Sequence, residues 1–501
     1  MTALRHPFRA TPLRRWALPL AGAAAAALLA GCAVGPDFHA PAAPAADALA
    51  TTGLPTQTAD APGPAGQAQH FALGQAVASR WWTAFGSPGL DALVDGALQA
   101  SPDLQAAEAA LRAAQEGALA QRGGFWPTVD ASLASTRQKT AGPLSSPLAD
   151  GDVTLYTLHT AQLSIGYTPD VFGGLRRQVE AQDAQAEVQR FQREAVYTTL
   201  VANVVGTAIQ EASLRAQIDA TRQLVDLASR LLAAAERQHA AGQIGGADVA
   251  AQQSALAQVQ ATLPPLEKQL AAQRTRLAAL TGRLPGDPLP QQFALDGLRL
   301  PAELPVSLPS QLVQQRPDVR AAEAQLHAAA AQVGVATAAR LPNITLNATL
   351  GSSALGVSQL LRAGSGFWSV GGTLLQPVFH GGTLLHQQRA AQANYEQAEA
   401  QYRSTVLTAF QNTADTLQAI VSDAQTLRAT AAAQAAAQKS LDAVQRQREL
   451  GAAAQADLVL AQQNLQQALL AAQQARAARL ADTVALYQAL GGGWQTSAAL
   501  K

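Results

Sequence analysis

The sequence predicts a mainly α-helical protein with a membrane-type β-sheet, built from two copies of one long unit. Three observations predict it. First, the chain repeats itself: Ser101-Pro102-Asp103-Leu104-Gln105-Ala106-Ala107-Glu108 returns as Arg316-Pro317-Asp318-Val319-Arg320-Ala321-Ala322-Glu323. Pro169-Asp170-Val171-Phe172-Gly173-Gly174 returns as Pro377-Val378-Phe379-His380-Gly381-Gly382, and Gly242 and Asp248 return as Gly451 and Asp457. Second, each copy holds a stretch of about 67 residues almost free of helix breakers, about 100 Å as a helix. Third, each copy holds two short runs that alternate apolar and polar residues. A two-copy repeat of this length speaks of architecture before chemistry.

Composition excludes several classes. The 501 residues carry 35 basic and 35 acidic side chains, so the basic excess of a nucleic-acid binder is missing. Aromatics make up only 5% of a chain rich in alanine and glutamine, which suits long, closely packed helices. One cysteine permits no disulfide framework.

That cysteine sits at the end of a targeting segment. Arg5, Arg9, Arg14 and Arg15 precede an apolar run from Trp16 to Ala30, the plan of a secretory signal over 1–31. Leu29-Ala30-Gly31-Cys32 resembles a bacterial lipobox, so cleavage before Cys32 leaves it as an acylated first residue. Ala33 follows instead of aspartate, which by resemblance to lipoproteins favours the outer membrane. Residues 32–79 read as lipidated terminus and linker, extended or wrapped on the body. Trp81-Trp82 opens the first repeat, 80–282, with a helix from Pro88 that runs on past Ser101-Pro102 to about Arg122.

Strands are expected at about 127–139, 155–169, 342–353 and 366–379. In the third, Ile344, Leu346, Ala348 and Leu350 alternate with Thr345, Asn347 and Thr349. Period two gives one apolar and one polar face. The pattern fits a half-buried sheet or tilted membrane strands; the lipidated terminus favours the membrane. Loops 140–152 and 352–366 would face outward. Four strands cannot close a barrel, and hydrocarbon tolerates no open edge, so copies must pool strands.

The long helices Leu175–Ala241 and Leu384–Leu450 turn at 242–247 and 451–456 and return as Ala247–Leu280 and Ala456–Leu490. Pro264-Pro265 should kink the first return helix. Leu224, Leu227 and Leu231, with Leu458, Leu465 and Leu469, fit coiled-coil seams. A Pro-rich linker, 283–310, joins the copies; the second repeat covers 311–494 and a tail 495–501. No motif for an enzyme, cofactor or metal site stands out. The eight histidines are scattered, and Gly491-Gly492-Gly493 lacks the Lys-Ser/Thr of a phosphate loop.

Gly31-Cys32-Ala33-Val34-Gly35-Pro36-Asp37-Phe38, Trp81-Trp82, the two Pro-Asp repeats, Val378-Phe379-His380-Gly381-Gly382 and Ala489-Leu490-Gly491-Gly492-Gly493-Trp494 resemble the outer membrane factor family. The likeness is to its lipoprotein branch, which serves resistance-nodulation-division efflux pumps. The resemblance implies a homotrimer in which each protomer gives four strands to a twelve-stranded β-barrel, continued by a long periplasmic α-helical barrel. It implies a periplasmic adaptor (membrane fusion) protein and an inner-membrane transporter as partners, with outer membrane lipid around the barrel.

It also implies a gate at the helix tips, with Asp457 and Asp248 at the family's acidic positions. Leu460 stands where relatives carry a second aspartate, giving an apolar ring beside a carboxylate ring. Arg446 and Arg448 are placed to pair with Asp248 in a closed state. Both aspartates equally suit the first turn of a helix. Gly242, Gln243, Ile244 and Gly245, with Gly451, Ala452 and Ala453, are the expected adaptor contacts. A type I secretion duct, a heavy-metal duct, a porin and a periplasmic scaffold stay open.

Overall fold

The structure, a computed structural model, describes residues 33–42, 54–139, 155–287, 289, 291–307 and 309–494. The expected signal peptide, Cys32, the loop 140–152 and the tail lie outside the described residues. The elements run β1 (His70–Leu73), α1 (Pro88–Ala100), α2 (Pro102–Arg122), β2 (Thr128–Lys139), β3 (Leu155–Tyr167), α3 (Gly174–Ala240), α4 (Gly246–Ala261) and α5 (Leu263–Leu280). Then follow β4 (Glu303–Val306), α6 (Pro309–Gln315), α7 (Pro317–Ala338), β5 (Asn343–Ala354), β6 (Gly366–Leu375), α8 (Thr383–Glu449) and α9 (Gln455–Ala489). From α2 onward each copy follows one order: helix, two strands, a 67-residue helix, a turn and a return. The chain forms two compact units.

The first unit comprises Met1–Ala40, Ala113–Ala186 and Ala324–Ala400. It holds an antiparallel sheet in the order β2-β3-β5-β6. A proline at 127, 169, 342 or 377 stands just outside one end of each strand, where the missing N–H removes no ladder bond. The last strand stops at Leu375 and not at 379, because Pro377 cannot donate to a ladder.

The second unit comprises Pro41–Arg112, Glu187–Glu323 and Gln401–Lys501. Its core gathers Trp82, Phe85, Leu90, Val204, Val205, Ile209, Leu304, Ile420 and Leu480, all at most 1% exposed. Trp81 stacks on Tyr487 with ring centroids 4.9 Å apart. Within the linker β1 pairs in parallel with β4, His70 opposite Glu303. Two four-residue strands with no clear alternation give too short a pattern to read from sequence.

Two expected helices are interrupted. α1 and α2 break at Ser101, whose extended ψ of 119° follows from the proline after it. The Ser101 hydroxyl then caps α2 by accepting the Leu104 N–H at 3.4 Å. The first return helix divides at Thr262, with Pro264 in the first turn of α5, where the absent N–H is an orphan anyway. Thr262 keeps φ −81° and ψ −18°, in the right-handed helical region, so the chain passes from α4 into α5 without a reversal.

Candidate functional site

Two places carry the features that matter, one in each unit. In the first unit the sheet register sorts side chains by face. Val129, Ile165, Ala348 and Val370 form one cross-strand row; Ala131, Leu163, Leu350 and Trp368 form another. The opposite face carries Asp130, Ser164, Thr349 and Ser369 in one row. There the Thr349 and Ser369 hydroxyls lie 2.6 Å apart. Val370 and Trp368 are each 75% exposed, and Leu133 is 76% exposed. A large bare apolar face of this kind marks a surface built for lipid or protein. β2 and β6 each have one unpaired edge among the described residues.

Beside these strands the segment after Cys32 is held in a built clamp. Arg177, only 5% exposed, donates from Nε to the Val34 carbonyl at 3.1 Å and from Nη2 to Asp37 at 2.7 Å. Its Nη1 bonds Glu180 at 2.7 Å, and Glu180 meets His327 Nε2 at 2.9 Å. Phe38 stacks on the His327 ring at 4.4 Å. Burial works against the Arg177 charge, but hydrogen bonds to Asp37 and Glu180 outweigh it and raise its pKa. Gly35 permits the fit: at φ +98° a Cβ would lie 2.4 Å from Gly334 Cα.

In the second unit the two helix tips share one construction. α3 and α8 each end in a Schellman motif. The Gly242 N–H bonds His239 O and the Gln243 N–H bonds Gln238 O, both at 2.9 Å. The Gly451 N–H bonds Arg448 O at 2.9 Å and the Ala452 N–H bonds Gln447 O at 2.8 Å. With φ of +71° and +74°, both turns require glycine for backbone reasons. Across each turn the aspartate caps the return helix. Asp248 accepts the Gly245 N–H at 3.3 Å and Asp457 accepts the Ala454 N–H at 3.0 Å. This is half a capping box, since Gly245 and Ala454 have no side-chain oxygen to reciprocate. Asp457 and Leu460 are exposed, Leu460 by 57%.

Among the described residues neither Arg446 nor Arg448 pairs with Asp248 in this single copy. Arg448 instead donates to Gln238 at 3.3 Å, joining the two tips through a neutral amide. The Asp248 carboxylate is already committed to its helix cap. Leu224, Val259, Leu441, Leu458 and Leu465 are buried together beneath, with Leu227, Leu231 and Leu469 against them. The two turns differ in their letters, Gln243-Ile244-Gly245 against Ala452-Ala453-Ala454. Both nevertheless run from a left-handed glycine to a capping aspartate, so the expected adaptor contacts all lie in the turns.

A buried polar cluster in the second unit escaped the sequence reading. Arg479 is fully buried and donates to Ala65 O at 3.0 Å, Gln67 O at 2.7 Å and the Thr58 hydroxyl at 2.8 Å. It pins linker residues Thr58, Ala65 and Gln67 to α9. Burial lowers its pKa to about 10, opposed by the charge of Asp423. Asp423 is pushed up to about 7, first by burial, then by its hydrogen bond and charge contact with Asp482. A lone charge amid alanines gives no periodic signal, so only the fold brings these groups together. No group of three or more His, Cys, Asp or Glu is placed to hold a metal among the described residues. No described helix is long and apolar enough to cross a membrane.

The model of the outer membrane efflux protein family matches residues 93–283 and 308–492, one stretch for each copy of the repeat. The chain belongs to that family. It is 35% identical over 435 residues to the pyoverdine export outer membrane protein OpmQ of Pseudomonas aeruginosa, covering 86% of this chain and 91% of that protein. It is 29% identical over 479 residues to the antibiotic efflux pump outer membrane protein ArpC of Pseudomonas putida, covering 94% and 95%. The fold matches the outer-membrane channel OprN with a TM-score of 0.82 at 27% identity, over 93% of this chain and 100% of that one. Membership gives the coarse function, efflux, and the place, the outer membrane.

Proposed function

We propose that three copies of this chain form the exit duct of a tripartite efflux pump. The observation that carries it is the four-stranded sheet with one apolar face and two unpaired edges. In hydrocarbon such edges must be paired, and pooling four strands from each of three copies closes a twelve-stranded barrel. Acyl chains on Cys32 add an anchor to the same membrane. The tips form the periplasmic gate: three copies turn Asp457 into a carboxylate ring, with Leu460 one turn on as an apolar ring and Asp248 on the neighbouring hairpin. A periplasmic adaptor engages the glycine turns and opens the ring, and an inner-membrane resistance-nodulation-division transporter supplies cargo. The names of the relatives, pyoverdine export and antibiotic efflux, support small organic molecules as that cargo.

Single-channel recording of the purified, detergent-extracted protein in a planar bilayer tests the reading. A small, cation-selective conductance that rises in Asp457→Ala is expected. A large, steady conductance indifferent to the substitution would instead mark an open porin. Absence of any channel from well-folded protein would mark a scaffold.

A further inference from the structure

Two exposed apolar pairs stand at the same end of the sheet, outside its ladders. Phe125 and Trp126 precede β2 and are 37% and 75% exposed. Val378 and Phe379 follow β6 and are 91% and 86% exposed. All four are exposed, and they flank the two edges that are unpaired among the described residues.

The ladder register says what they meet. The row through Thr128, the first residue of β2, passes Gly166, Asn347 and Gly371. Thr128 lies at its strand end, whereas Gly371 lies four residues inside the end at Leu375. Three steps across the sheet thus move the row inward by four residues, the stagger of tilted strands. A fourth step, from β6 to the β2 of another copy, enters that strand about six residues from its start, because ladder partners share a face and Gly371 must meet the Thr128 face of β2. Leu375 then falls opposite position 130 of the next copy, and Phe379 opposite its Trp126, with Val378 and Phe125 alongside. The strand directions agree, because β2 and β6 run oppositely and continue an antiparallel sheet.

We propose that Val378-Phe379 of one copy clasp Phe125-Trp126 of the next, locking the seam between copies at one rim of the barrel. The partner is a second copy of this chain, and the proposal rests on the ring of copies put forward above. Edge hydrogen bonds are sequence-blind and would tolerate a slipped register. The clasp fixes that register, because a slip by two residues separates the pairs by about 7 Å. It also covers apolar surface that an unassembled copy leaves bare.

The test is cysteine cross-linking of the full chain in its membrane, with Trp126→Cys and Phe379→Cys combined and each alone. Within one copy the two positions are separated by three strand spacings, about 14 Å, beyond the reach of a disulfide. The expected result is covalent dimers and trimers from the double variant under mild oxidation, and none from either single variant. Phe379→Ala should also lower the temperature at which the assembly dissociates in detergent, while its mass at low temperature stays that of the parent. A stable trimer by mass with no cross-link, and with unchanged dissociation in Phe379→Ala, overturns the clasp and leaves the ring standing. A monomer by mass from the parent chain overturns both.

Discussion

Asp457 has two duties that one substitution confuses and two separate. Its carboxylate caps α9 through the Ala454 N–H, and its charge faces solvent. Asparagine keeps an oxygen for the cap and drops the charge; alanine loses both. Asp457→Asn should therefore reduce cation selectivity while leaving hydrogen exchange of the first α9 turn unchanged. Asp457→Ala should do both, with loss of about 1 kcal/mol of local stability. Equal exchange in the two variants would mean that the cap contributes nothing. Asp423 sets a second residue-level expectation. An unfolded aspartate titrates near 4, whereas this one is held at about 7. Between those values the folded chain keeps a proton that the unfolded chain has lost, so stability falls as pH rises through the window. The full shift would correspond to about 4 kcal/mol, and partial exposure to water reduces that to about 1–2 kcal/mol. Melting followed from pH 5 to pH 8 should decline in the parent and flatten in Asp423→Asn. Parallel curves would remove Asp423 from the account.

At the scale of elements, the segment 33–38 is held by side chains and not by regular structure. Arg177 supplies three of its contacts, two of them to the backbone at Val34 and Gly35. Arg177→Met keeps the bulk of the side chain, strands those carbonyls and leaves Glu180 to His327. The expected cost is about 2 kcal/mol. Limited proteolysis should then cut within 33–38 in the variant and spare the parent; equal resistance would show that Gly35 against Gly334 suffices. This clamp was not legible in the sequence. Arg177 stands in a helix among other charges, and only contact with residues far away in the chain gives it meaning. The long helices and four strands were legible because each repeats its period over many residues, and because glycine at 242 and 451 has one local reason to be there. The breaks at Ser101 and Thr262 were half legible: the prolines announced a disturbance, and hydrogen bonding decided its form. Asp248 was legible as a first-turn acid, whereas the Arg448 contact with Gln238 was not, since proximity in a tip does not specify which acceptor an arginine takes.

For the whole molecule, the decisive question is which side of the sheet meets lipid. Leu350 and Thr349 are adjacent in β5 and project to opposite faces. Leu350 shares its row with Ala131, Leu163 and Trp368, and Thr349 shares its row with Asp130, Ser164 and Ser369. An arginine in place of Leu350 would carry charge into hydrocarbon, at a cost of about 2–4 kcal/mol in each copy near the midplane. Three copies multiply the effect, so Leu350→Arg should fail to accumulate as a heat-resistant assembly in the outer membrane. An arginine in place of Thr349 would enter a polar, water-filled interior, where it should assemble normally and shift ion selectivity toward anions. Comparing the two variants by membrane fractionation and by conductance separates the candidate architectures. In a soluble half-buried sheet, either face could be the covered one, and the change in selectivity would be absent. In the duct, one residue step along one strand divides an assembly defect from a permeability change, because alternation along β5 assigns successive side chains to two different solvents.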